Sequence, residues 1–250
     1  MLHSKNFSPS GSSKWLNCFG QARMVELVKE QFNLPEPDWT QAKIGTIAHS
    51  ICESLIKDEP FEYDQKYKDD IDPYMEDLRY YADSIKILNE YYIEQVVNFG
   101  NFTGYHDDSF GNVDCIVIDK PILKIRDFKF GYVPVPAYRN SQLMLYALGA
   151  IQTFDLANQI EIVNLSIFQP KVRNYDEWTC DIDELLSFGE EVKLAAKKVI
   201  SSSKAMTYDE LEHLLVAGEK QCTYCPAVAY CPKVSELIDT TYSEIVTLQE

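Results

Sequence analysis

Three ionisable residues, Asp114, Asp127 and Lys129, stand inside the stretch GNVDCIVIDKPILKIRDFKFG, which runs from Gly111 to Gly131 and otherwise reads as two apolar strands about a turn. Side chains alternate along a strand, so Ile125, Asp127 and Lys129 share one face and Arg126 and Phe128 take the other. With the turn at residues 119–122, Ile118 pairs with Leu123 and the antiparallel register sets Asp114 opposite Asp127, their side-chain origins about 4.5 to 5.5 Å apart. Two carboxylates at about 4 Å repel by about 4 kcal/mol in an effective dielectric near 20. A divalent cation, or a proton on one member, relieves that cost. The alternative is a solvent-facing pair with Lys129 as a surface partner, but the flanking CIVI and ILKI are apolar on both faces, as in a covered sheet.

A second constellation is Cys222, Cys225 and Cys231, three thiols within ten residues. A zinc site built locally would show a second close pair. The fourth ligand must come from far along the chain, and Cys18, Cys52, Cys115 and Cys180 are the candidates. Cys115 points away from the Asp114 face and suits an inert buried thiol; Cys18 precedes Phe19 and Gly20, and a glycine permits close backbone approach.

The elements that must position these residues follow from periodicity. Runs at 92–99, 111–118, 122–130 and 160–169 are short and rich in Ile, Val, Phe and Tyr, as strands are. A helix over about 141–153 lies between the last two, so the order strand, strand, helix, strand predicts a mixed α/β core. Another helix over about 40–57 has an apolar stripe of Ile44, Ile47, Ala48, Ile51 and Leu55 and also carries His49 and Glu53. The first ten residues are polar, and Ser8, Pro9 and Ser10 read as the start of a helix carrying Trp15, Leu16 and Cys18. The acidic, Tyr-rich stretch 58–89 is expected to hold one exposed, charge-laced helix. An amphipathic helix over about 183–201 follows, then another opened by the capping box of Thr207 and Glu210.

Composition bounds the function. The chain has 250 residues, 46% of them hydrophobic, and a formal charge of −16. That is ample for a packed core and argues against broad adhesion to nucleic acid or anionic membrane. Phosphate contact would have to be local or bridged by a cation, with Lys124, Arg126, Arg139, Lys171 and Arg173 as local basic residues. No N-terminal apolar segment precedes the chain's polar start, and the longest apolar run, near 144–151, is too short to span a bilayer. A cytoplasmic protein without membrane contact is expected. Seven cysteines without a secretion signal argue for metal ligation rather than a disulfide framework.

The pattern of Asp114, then Asp127-x-Lys129 on adjacent strands, resembles the PD-(D/E)XK nuclease superfamily. GTIAHSICESL (45–55) resembles the helix that supplies a histidine metal ligand in its RecB-like branch, and NSQLMLYALGA (140–150) resembles that branch's Gln-x-x-x-Tyr helix. With SPSGSSKWLNC and FQP (168–170), the order is similar to a phage and prophage family related to the CRISPR-adaptation iron-sulfur exonucleases. The resemblance spans Ser8 to Pro232 and explains the 58–89 insert least. It implies a single nuclease domain over 1–250, with a restriction-endonuclease-like mixed central sheet flanked by helices, and an iron-sulfur subdomain made by both chain ends, 8–20 and 205–235. It implies Mg²⁺ or Mn²⁺ on His49, Asp114, Asp127 and the carbonyl of Phe128. Lys129 would orient or deprotonate the attacking water; Gln142 and Tyr146, four apart on one helical face, would contact the phosphodiester or the lysine. Glu53 and Glu94 are weaker candidates. Cys18, Cys222, Cys225 and Cys231 would hold a [4Fe-4S] cluster, with zinc on the same thiols as the alternative. The implied substrate is DNA, single-stranded or with frayed ends, processed in phage recombination, repair or replication, in the host cytoplasm if the chain is phage-encoded. A partner protein could supply electrostatic grip on the strand. The rival reading is a non-catalytic iron-sulfur or zinc scaffold in a DNA-processing complex.

Overall fold

A computed structural model describes residues 4–34 and 38–247, with 242–247 described by backbone alone; the first three residues of the polar start lie outside the described residues. The chain divides into two compact units, one of Pro37–Phe99 and Phe110–Phe188, the other of Met1–Glu36, Gly100–Ser109 and Gly189–Glu250.

The first unit is built on one sheet of five strands in the order β1 (Tyr91–Asn98), β2 (Phe110–Asp119), β3 (Ile122–Phe128), β4 (Ile162–Gln169), β5 (Asn174–Asp181). Only β3 and β4 run parallel. The hairpin register matches the expected one from Cys115 opposite Arg126 to Ile118 opposite Leu123. Helices α2 (Thr40–Ile56) and α3 (Met75–Lys86) cover one sheet face, packing Ile44, Ala48, Ile51, Leu78, Tyr81 and Ile85 with Cys115, Val117 and Phe128. Helix α4 (Ser141–Thr153) packs on the strands too, and Asn140 caps it by accepting from the Gln142 and Leu143 amides. Its residues 143 to 151 are all buried, which explains its nearly unbroken apolar sequence. Gly149 permits the approach to β1: a Cβ there would sit 2.6 Å from Val97 Cγ2. The result is a mixed α/β fold with helices flanking a mixed sheet.

Two expectations need correction. The acidic stretch does not hold a merely solvated helix: α3 buries Leu78, Tyr81, Ala82 and Ile85. Its charges occupy the outer face and mask an i, i+3, i+4, i+7 stripe. Strand β5 was not foreseen, because its sequence, NYDEWTCD, is polar; as an edge strand it buries only Cys180.

The second unit is helical. Short turns at Pro9–Gly11 and Ser12–Trp15 precede α1 (Gln21–Gln31), which was not anticipated; Cys18 lies in the turn between, beyond the helix expected to carry it. Met24, Leu27, Val28, Ala205, Leu211, Leu215 and Ala227 make a small core that includes Cys18. The capping box closes only one helical turn, Tyr208–Leu211: Thr207 Oγ1 accepts from the Glu210 amide, and Glu210 reaches back to the Met206 amide. In chain order, α5 (Ile182–Ser202) follows β5 and α6 (Pro232–Thr247) comes last.

Candidate functional site

Asp127 lies near the end of β3, 2% exposed. Lys129 shares its strand face, and its Nζ is 2.9 Å from Asp127 Oδ2. That ion pair is what faces the buried Oδ2, which has no other partner among the described residues. Gln142, in the first turn of α4, joins the two: its Oε1 accepts from Lys129 Nζ at 3.0 Å and its Nε2 donates to Asp127 Oδ1 at 3.2 Å and to the Tyr146 hydroxyl at 3.0 Å. The four-residue spacing of Gln142 and Tyr146 places both over Asp127, as the helical period dictates. Burial pushes the Asp127 carboxyl up to about 6, against the pull of Lys129. Burial would also lower the Lys129 ammonium, but Asp127 and Asp114 outweigh it and hold the lysine protonated beyond its ordinary range.

Asp114 stands where the β2–β3 ladder opens. The strand pairs end at Cys115 and Arg126, because the Phe128 amide donates to Asp114 Oδ2 at 2.7 Å instead of to backbone. Asp114 Oδ1 is 3.4 Å from His49 Nδ1 on α2, whose ring meets that of Phe128 edge-on. Burial opposes charge on both members, yet their mutual attraction wins: Asp114 is held below the usual carboxylate range and His49 is raised.

Glu94 is the residue that sequence reasoning undervalued. His49, Glu94 and Asp114 each offer a ligand atom, all within 4.8 Å of one another. Glu94 reaches the site because its backbone adopts φ 48° in the middle of β1, while Ile93 and Gln95 on either side keep their partners Cys115 and Val113. A left-handed non-glycine residue inside a strand is uncommon and re-aims its side chain. Burial, then Asp114, pushes its carboxyl up to about 7, and Asn112 Nδ2 donates to it. The signal available in sequence was only an acid in a strand rich in Tyr, Ile and Val. Glu53 lines the same small cavity, about 10 Å³, but is paired with Lys57 one turn away. Arg126 donates to the Ser84 carbonyl, facing away from Lys129 as alternation requires.

The four cysteines expected to act together, Cys18, Cys222, Cys225 and Cys231, line one cavity of about 20 Å³ in the helical unit. The Val216 amide donates to Cys18 Sγ and the Gly218 amide to Cys222 Sγ. Burial pushes the Cys18 thiol up to about 11, and the three other cysteines push the same way. Among the described residues no three thiols lie within 4.8 Å of one another. Cys52, Cys115 and Cys180 are buried and free, and all three lie in the sheet unit.

These features define a mixed α/β protein with a histidine, carboxylate and lysine centre in which Asp127 is buried and His49, Glu94, Asp114 and Lys129 are half-buried. The chain belongs to the family described as "Protein of unknown function (DUF2800)", whose model matches residues 3–247. Among solved structures it is similar to "Crystal structure of SSO0001", at 17% identity and a TM-score of 0.39, over 88% of this chain and 84% of that one. No helix among the described residues is long and apolar enough to cross a membrane.

Proposed function

We propose that the protein is a metal-dependent nuclease of the PD-(D/E)XK type, an exonuclease that hydrolyses phosphodiester bonds at single-stranded or frayed DNA ends during phage recombination, repair or replication. The observation that carries this reading is the convergence of His49, Glu94 and Asp114 beside the buried Asp127, Lys129 and Gln142 network. The donor set fits a divalent ion: carboxylate oxygens and one imidazole suit Mg²⁺ and, better for the nitrogen, Mn²⁺. The carboxyls at 94 and 127, raised first by burial and further by Asp114, stand where a cation would favour their charged forms. Phe128 has its amide on Asp114 and its ring on His49, which leaves its carbonyl to offer. A cation bound there would lower the pKa of its water toward neutrality and offset charge on the scissile phosphate. Lys129 orients the attacking water and meets the phosphate as an ammonium; it can release its proton, and so serve as a base, only once the flanking carboxylates are neutralised. Gln142 fixes Lys129 against Asp127, and the Tyr146 hydroxyl fixes Gln142.

We also propose that Cys18, Cys222, Cys225 and Cys231 hold a [4Fe-4S] cluster. What supports it is their common cavity and the two amide N–H groups aimed at sulfur. Tetrahedral zinc, with bonds of about 2.3 Å, draws its thiolates to about 3.8 Å apart, tighter than any three thiols described here. Iron and sulfide analysis of anaerobically purified protein tests it: stoichiometric zinc without sulfide overturns the cluster.

For the activity, end-labelled DNA is incubated with Mn²⁺ and the wild type, Asp127→Ala or Lys129→Ala. Each variant should lose about 10²- to 10⁴-fold in rate. Equal digestion by all three would reveal a contaminating nuclease, and no digestion by the wild type would favour the non-catalytic scaffold.

A further inference from the structure

Three residues past Lys129, the chain builds a feature that the catalytic reading does not use. The Lys171 ammonium is sealed from solvent and has no hydrogen-bond acceptor. It lies 4.3 Å from the Phe130 ring centre, 4.5 Å from that of Tyr132 and 5.7 Å from that of Tyr74. Ring faces attract a cation, but an ammonium has three N–H groups, and leaving them all unbonded costs free energy.

The ring above it is held as firmly. Gln169, 1% exposed, donates to the Gly131 and Val133 carbonyls and accepts from the Val135 amide. Asn174 donates to the Val135 carbonyl and Asp176 accepts from the Ala137 amide. Residues 131–137 are thus fastened by side chains of β4 and β5, yet Tyr132 stays 55% exposed and Val133 64%. The fastened backbone that carries this open ring loses little freedom when something stacks on it.

We propose that Tyr132, backed by the Lys171 charge, is a stacking platform for an unpaired base of a single-stranded nucleic acid, with the exposed Arg173 meeting its phosphates. This rests on the nuclease reading, because the three residues from Lys129 to Tyr132 span at most about 11 Å and the platform would therefore take a base within a few nucleotides of the cleaved bond. Stacking also answers the charge problem. A chain of net charge −16 repels a polyanion at long range, so grip on the strand must come from local cations and from base–ring contact, which does not depend on net charge. A duplex keeps its bases stacked on one another and offers none to Tyr132.

The test measures anisotropy of labelled dT12 and of an abasic 12-mer with the same phosphates, in Ca²⁺, for wild type, Tyr132→Ala, Tyr132→Phe and Arg173→Met. Wild type should prefer dT12. Tyr132→Ala should weaken dT12 binding roughly 5- to 100-fold and erase the preference, while Tyr132→Phe keeps it. Arg173→Met should weaken both oligomers and reduce the salt slope by about 0.7. Equal binding of both oligomers by wild type, dT12 binding by Tyr132→Ala as tight as wild type, or a duplex bound as tightly as dT12 overturns the platform; an unchanged Arg173→Met removes the arginine from it. Hydrolysis of bis(p-nitrophenyl) phosphate with Mn²⁺ separates the two readings. Hydrolysis without base preference sinks the platform alone, whereas a base preference that Tyr132→Ala abolishes, without hydrolysis, sinks the catalytic reading alone.

Discussion

The carboxylate centre and the cysteine cavity differ in how each is held before any ion arrives. At the first, nearly every polar group already has a partner: Asp114 takes the Phe128 amide and faces His49, and Gln142 bonds Lys129, Asp127 and Tyr146. At the second, only two amides reach sulfur, and apart from Gln21 and Gln221 the rest of the lining is apolar side chain such as Met24, Leu215 and Val234. The carboxylate centre is preorganised by its own network and would use an ion for chemistry. The thiols have no such network and would need an ion to hold their ends of the chain together.

That contrast can be broken most directly at Cys18. Cys18→Ala should lose iron and lower the melting temperature by about 10 °C, the scale of losing a cross-link in a chain of this size. Asp114→Asn, by comparison, should leave the iron content untouched. Iron content unchanged in Cys18→Ala would assign the fourth ligand elsewhere.

A pH series sharpens the other side. In the ion-free protein Asp127 and Glu94, at about 6 and about 7, keep protons that the unfolded chain has released, and this destabilises progressively as pH rises from about 4 to about 7. His49, raised above its usual value, adds stability that is lost as pH climbs through its folded pKa. Asp114, held low, acts in the opposite sense, but its contribution is complete above about pH 4. Chelator-treated protein should therefore melt lower at about pH 8 than at about pH 5.5, and saturating Mn²⁺ should remove most of the difference. A melting temperature that rises with pH in chelator would contradict the raised carboxyls assigned to the centre.

The smallest effect separates two glutamates in the same cavity. Glu53→Gln removes an exposed i, i+4 pair with Lys57 and should change stability by less than about 0.5 kcal/mol. Glu94→Gln should weaken Mn²⁺ binding about tenfold or more by calorimetry. Equal Mn²⁺ affinity in the two variants would return Glu94 to the background.

What was legible in the sequence depended on neighbours along the chain. Alternation placed Asp127 and Lys129 on one face, the turn at 119–122 set the hairpin register, and the four-residue spacing of Gln142 and Tyr146 put both on one side of α4; these are local periods of 2 and 3.6 that packing did not alter. The charged outer face of α3 hid its apolar stripe, and the polar edge strand β5 carried too little hydrophobic signal to be seen.

By itself, then, the sequence determined the hairpin, its carboxylates and lysine, and the helix that steadies them. The tertiary structure alone decided that Asp114 would open the ladder by capturing the Phe128 amide, that a left-handed turn of backbone at Glu94 would bring a third carboxylate to His49, and that Lys171 would lie sealed under Tyr132. The reason is that these convergences join residues 14 or more positions apart, and no periodicity in the chain reaches that far.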